Sequence, residues 1–212
     1  MEEQIINMPA VALRGLTILP GMIAHFDVSR ERSLRAIEEA MEQDQRIYLV
    51  TQSNVDREDP TQEDLYRMGI VADIKQVVRL QNDVVRILVD GISRAKLLGF
   101  TGRKEYLEAE ICCCDSNADS LPEDLKEAML LGVREAFHRY AAVIGKISKE
   151  LIRQIDQYED LEKLIDYVTN NLPVSYELKQ QVLEAEDIND RYQVIVSLLL
   201  SQVEVISIKN EL

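Results

Sequence analysis

Apolar and polar residues alternate with a period of two from residue 22 to residue 28. Met22, Ala24, Phe26 and Val28 fall on one face, and Ile23, His25 and Asp27 on the other, the pattern of a strand with one side on a core. At Ser29 the period lengthens. Leu34, Ile37 and Met41 form a stripe with Ala36 and Ala40 beside it, which predicts a helix that Ser29 is placed to cap. Upstream, a strand around Leu13-Arg14-Gly15 leads into a Pro20-Gly21 turn.

Residues 47–51 read as a short strand, followed by a polar loop ending at Asp59-Pro60. Thr61 to Asp64 has the form of a capping box and predicts a brief helical turn through Leu65-Tyr66-Arg67-Met68, closed by Gly69. Runs at 70–80 and 84–89 flank Gln81-Asn82-Asp83, residues that tolerate left-handed backbone; Asp90-Gly91 then leads into a run at 92–100, and a last one spans 106–114. About six short strands with one embedded helix predict a small, partly closed β pseudo-barrel.

The chain changes character at DSNADSLPED, residues 115–124, a polar stretch read as a linker. Ser120-Leu121-Pro122-Glu123 reads as a second capping box with Pro in the first turn. Leu125, Met129, Val133, Phe137 and Tyr140 carry an apolar stripe up to Gly145. Further helical segments centre on 151–155, 161–168 and 178–183. In the last one, 190–212, Tyr192, Ile195, Leu199, Val203 and Ile206 hold helical spacing. The expected architecture is α+β, with a β-rich subdomain at 1–115 and an α-helical bundle at 116–212 ending in a long helix.

Charge narrows the list of partners. The formal net charge is −14, and both halves share it, −6 over residues 1–115 and −8 over 116–212. Nucleic acid and anionic membranes are therefore not expected partners. The N-terminus has acidic residues where a signal peptide needs basic ones, and no uninterrupted apolar run reaches spanning length, so a cytoplasmic location with free thiols is expected. The three Cys, 112 to 114, are adjacent and lack a second ligand pair, which reads as strand packing and not as a zinc site.

Catalytic equipment is not visible. The nearest approach to a phosphate loop, Gly145-Lys146-Ile147-Ser148, lacks the first Gly and has Ile where a hydroxyl is required. His25 and His138 are the only candidate imidazole bases, one in each half, and read as surface or packing residues. Ser148-Lys149 is better explained as a helix cap than as a dyad, and Glu38-Glu39, Glu58-Asp59 and Glu186-Asp187 as solvated carboxylates. Binding, not catalysis, is the trade these residues suggest.

Three blocks in the first half, LRGLTILPGMIAHFDVSRERSLRAIEEAM, QSNVDREDPTQEDLYRMGIVADIKQVVRL and VRILVDGISRAKLL, together resemble the N-terminal domain of bacterial Lon, the ATP-dependent serine protease family. NNLPVSYELKQQVLEAEDINDRYQVIVSLL continues the likeness into the second half. Ala12, Ser29, Gln81-Asn82-Asp83 and Asp90-Gly91 depart from the family pattern while keeping turn chemistry or charge. The resemblance implies a PUA-like pseudo-barrel followed by a helical bundle. It also implies a non-catalytic role: capturing unfolded or tagged polypeptides for degradation and supporting assembly of a homo-hexamer. ATP, Mg and the Ser-Lys dyad are expected in modules of the intact protease, with none in this chain, and the last helix is expected to lead toward the ATPase ring. The rival is a free-standing Lon-domain protein that binds a ligand or partner, which the gene past Leu212 would distinguish. RNA binding, suggested by fold analogy alone, runs against the charge.

For polypeptide capture the candidate patch is Pro20, Met22, Ile23 and Phe26, adaptable apolar side chains beside a tight turn. Met22 and Phe26 share the face assigned to the core. Ile23 lies on the opposite face and is the informative position.

Overall fold

The computed structural model describes residues 3–212. The chain divides into two compact units, Met1–Cys114 and Asp115–Leu212.

The first unit is a mixed six-stranded sheet with one helix. Its elements are β1 (Ile5–Leu13), β2 (Ile23–Val28), α1 (Glu31–Glu42), β3 (Arg46–Thr51), β4 (Met68–Arg79), β5 (Val85–Phe100) and β6 (Glu108–Cys113). The strand order is β2-β5-β4-β3-β1-β6, and β5 also pairs with β6, so five strands form a closed circuit of pairings with β2 outside it. β1 and β3 run parallel, joined through β2 and α1; the other pairs are antiparallel. Within β1 the partner changes at Pro9: residues up to Pro9 pair with β6, and those from Ala10 onward with β3. Proline has no N–H to give a ladder, and here it sits where one ladder ends.

Two apolar clusters occupy the two faces of the central strands. Val11, Leu13, Ile47, Leu49, Ile70 and Ile87 belong to one, with Ile37 and Ala40 of α1. Ala10, Ala12, Tyr48, Val50, Val71 and Ile111 belong to the other. Strands buried on both sides read as continuous apolar runs instead of alternating ones, which is why PAVAL and IYLV carry no period. Strand β2 has one wet face and does alternate.

Residues 84–89 and 92–100 are one 16-residue strand, β5, with Gly91 inside it. Leu65 to Gly69 is not a helical turn: the capping box at Thr61 does form, but it closes only the 3-10 turn Gln62–Asp64, and β4 begins at Met68. The cap of α1 is Arg30, without a side-chain bond, because Ser29 lies one residue too early. Gln81-Asn82-Asp83 does form the hairpin turn, with Asn82 and Asp83 both left-handed.

The second unit holds α2 (Glu123–Ile144), α3 (Lys149–Gln157), α4 (Leu161–Asn170), α5 (Tyr176–Glu184) and α6 (Ile188–Glu211). Met129, Val133, Phe137 and Tyr140 are buried along α2 as the stripe predicts, though Leu125 at its start is exposed. Gly145, left-handed, ends that helix. Ser120 is not its cap; Pro122 holds that position. Ser148, Asp160, Ser175 and Asp187 cap the other four helices with side-chain oxygens. Most of the stretch read as a linker is exposed, but Ser116 and Ala118 within it are buried, and the Ser116 carbonyl accepts from the Ile188 N–H at 2.8 Å. By length and composition α6 could cross a membrane, but Ile195, Leu198 and Leu199 are buried and the nearly buried Arg191 bonds Glu162 of α4.

Candidate polypeptide-contact site

The Pro20-Gly21 turn is closed by the Met22 N–H donating to the Leu19 carbonyl at 3.1 Å, with Gly21 at φ +79°. Glycine is the residue that adopts this conformation at least cost. Gly21 N–H donates to the Gly91 carbonyl and Gly91 N–H to the Met22 carbonyl, both at 2.9 Å. The turn is thus bolted to the middle of β5. Gly91, read from sequence as part of a turn, is needed for a different reason: a Cβ there would lie 2.5 Å from the Leu19 carbonyl oxygen.

From this turn β2 leaves along β5, with Ile23 opposite Asp90, His25 opposite Leu88 and Asp27 opposite Arg86. The four expected patch residues separate. Met22 and Phe26 are half-buried and pack against the core cluster, and Pro20 is half-buried in the turn. Ile23 is 68% exposed, the most exposed large apolar side chain described between Ile5 and Leu212. The outward face of β2 thus carries Ile23, His25 and Asp27, all exposed.

Neighbouring strands extend this face. Leu88 is half-buried and Val78, paired with Arg86 in the β4–β5 ladder, is exposed. By the register, Leu88 is the diagonal neighbour of Ile23, within reach of a long side chain. The sequence carries a signal for Leu88 that the patch Pro20, Met22, Ile23 and Phe26 does not include: in VVRILVDG the inward set is Val85, Ile87 and Val89, so Leu88 is an apolar residue at an outward position. The far end of the face is fixed by Arg86, whose Nε and Nη2 donate to the two Asp27 carboxylate oxygens at 2.7 and 3.2 Å. This guanidinium holds the Asp27 carboxyl below its ordinary pKa, chiefly through the hydrogen bond.

The remaining sequence candidates do not join it. His138 bonds Asp156 at 2.7 Å, between α2 and α3. Ser148 Oγ accepts the Leu151 N–H as a cap. Cys112 is buried, which pushes its thiol pKa up, while Cys113 is exposed. Among the described residues no group of three or more His, Cys, Asp or Glu side chains is placed to hold a metal.

Residues 7–201 match the family model for the substrate-binding domain of ATP-dependent protease La, or Lon. The chain belongs to this Lon domain family. It is 37% identical over 212 residues to the Lon protease of Lachnoclostridium phytofermentans and 34% identical over 209 residues to that of Clostridioides difficile, spanning 26% and 27% of their lengths. Against Lon protease 1 of Bacillus subtilis the identity is 30%. The chain therefore covers about a quarter of the curated relatives it matches. Its fold is similar to the N-terminal domain of Mycobacterium avium complex Lon protease, with a TM-score of 0.73 at 19% identity, covering 92% of this chain and 98% of that one. The Lon N-terminal domain protein of Xanthomonas campestris gives a TM-score of 0.62 at 13% identity, with 91% and 98% covered.

Proposed function

We propose that this chain is the non-catalytic module by which an ATP-dependent Lon protease takes hold of polypeptides, and that the outward face of β2 around Ile23 is part of the contact. The observation that carries the reading is an aliphatic side chain 68% exposed beside a rigid turn, in a Lon substrate-binding fold. Unfolded chains offer apolar side chains without a fixed shape, and a partner for them needs exposed apolar residues on a well-solvated, charged surface. The net charge of −14 supplies that surface. On this reading the substrates are unfolded or tagged proteins, the catalytic step belongs to a serine endopeptidase module, ATP and Mg belong to an ATPase module, and this domain also contributes to assembly of subunits.

Fluorescence anisotropy with labelled, reduced and alkylated α-lactalbumin, set against its native disulfide-bonded form, tests the proposal. Saturable binding of the unfolded form only is expected. Equal binding of both forms, or of neither, overturns it.

A further inference from the structure

Two arginines of the first unit stand out against its acidity. Arg14, just after β1, and Arg30, just before α1, both donate to one oxygen, the Oε1 of the buried Gln52, from Nε at 3.3 Å and from Nη2 at 2.6 Å. Arg14 also donates to the Arg57 carbonyl at 2.9 Å, and Arg30 to the Glu58 and Ala12 carbonyls at 3.1 and 3.5 Å. Every acceptor is a neutral amide or peptide oxygen. Among the described residues no carboxylate lies within ion-pair distance of either guanidinium, whereas Arg32, Arg57 and Arg86 nearby each have one.

This is an unusual use of charge. Two cations converging on one amide oxygen repel each other, and Arg30 is half-buried as well. Burial and the field of Arg14 both lower the Arg30 pKa, and Asp59 and Glu58 offset this only in part. Each guanidinium has five N–H donors; the contacts above engage two on Arg14 and three on Arg30. Donors remain on both.

The two side chains line a groove of about 220 Å³ with Leu16, Phe26, Ser29 and Ser33. The groove lies between the end of β1 and β2, and β2 is the terminal strand of the sheet, paired with β5 alone among the described strands. Asp27 also borders it, but its carboxylate is engaged by Arg86. The first turn of α1 opens beside it with no side chain capping its N–H groups, and the one acidic residue of that turn, Glu31, is paired with Arg35 at 2.6 Å, so the helix end adds a modest preference for an anion.

We infer that Arg14 and Arg30 form a carboxylate pocket beside the free edge of β2, and that its occupant is a carboxylate of a polypeptide held in extended form along that edge. A paired guanidinium site matches the two oxygens of a carboxylate, and an edge strand matches an extended backbone. The carboxylate has two sources, a chain terminus or an Asp or Glu side chain. The inference rests on polypeptide capture as the role of this domain and specifies which chains it holds best.

The test leaves the fold untouched by varying the ligand. A labelled apolar peptide without Asp or Glu is titrated into the protein as its free acid, as its C-terminal amide, and as an amide with one internal Glu. The free acid is expected to bind about tenfold tighter than the amide, the factor for roughly 1.4 kcal/mol, and added salt should shrink the gap. Recovery of affinity by the internal Glu assigns side chains as a source; failure to recover assigns the terminus alone, and the pocket stands in both cases. Arg14→Gln, at an exposed position, should abolish the acid-over-amide preference without lowering the amide's affinity, and Arg30→Gln should do the same if its thermal midpoint holds. Equal affinity of acid and amide for the unchanged protein overturns the pocket. It leaves capture standing provided unfolded α-lactalbumin still binds; loss of that binding is the separate failure of the capture reading.

Discussion

Gly91 lies against the Leu19 carbonyl so closely that a methyl group on its Cα would sit 2.5 Å from that oxygen and 2.8 Å from Ile70 Cδ1. Backbone cannot retreat as a long side chain can, and the Leu19 carbonyl is itself fixed by the Met22 N–H. Gly91→Ala is therefore expected to destabilise the first unit by about 1–3 kcal/mol, the range for forced overpacking. Urea unfolding followed by circular dichroism checks it, and an unchanged midpoint would mean that the turn is not clamped on β5.

Asp27 and Arg86 set the outward face at the far end of the same ladder. The Asp27 carboxyl is held below its ordinary pKa by the Arg86 hydrogen bond, so its folded value lies under its unfolded one. The stabilisation is then present above the unfolded pKa of about 3.9 and is lost as pH falls through the folded value. Carbon-detected NMR titration should find Asp27 titrating below an ordinary aspartate, and Arg86→Gln should return it toward the ordinary value. Both groups are exposed, so the change in overall stability is expected to be small.

Helix caps give a pair of opposed outcomes. Asp160 accepts the Lys163 N–H at 2.9 Å, and Asp160→Ala should cost about 1 kcal/mol. Ser29 reads as a cap in sequence but makes no such bond, and Ser29→Ala should stay within about 0.5 kcal/mol of the unchanged protein. Thermal unfolding of the two variants compares them directly; a larger loss at Ser29 would place the start of α1 one residue earlier.

The legible parts of this fold are those where one face meets water. The alternation in β2, the stripe of α2 and the left-handed turn at Asn82-Asp83 each leave a local record in the chain. β1 leaves almost none: Ala10, Val11, Ala12 and Leu13 are all buried, on two faces, and Pro9 argues locally against a strand. Gly91 is not legible because glycine after aspartate is the usual mark of a turn, while here it serves a close approach of chain segments distant in sequence. In the candidate patch, alternation was sufficient to separate Ile23 from Met22 and Phe26. The pairing of Arg14 with Arg30 on Gln52 was not legible, since it joins three separate segments through side chains.

Whether the outward face of β2 holds polypeptide is decided by one substitution. Ile23→Lys keeps the β2 backbone and places a cation opposite Asp90, so folding should not suffer. At least a several-fold loss of affinity for unfolded α-lactalbumin is expected in anisotropy, with a thermal midpoint matching the unchanged protein. Undiminished affinity in a variant that folds normally would contradict it.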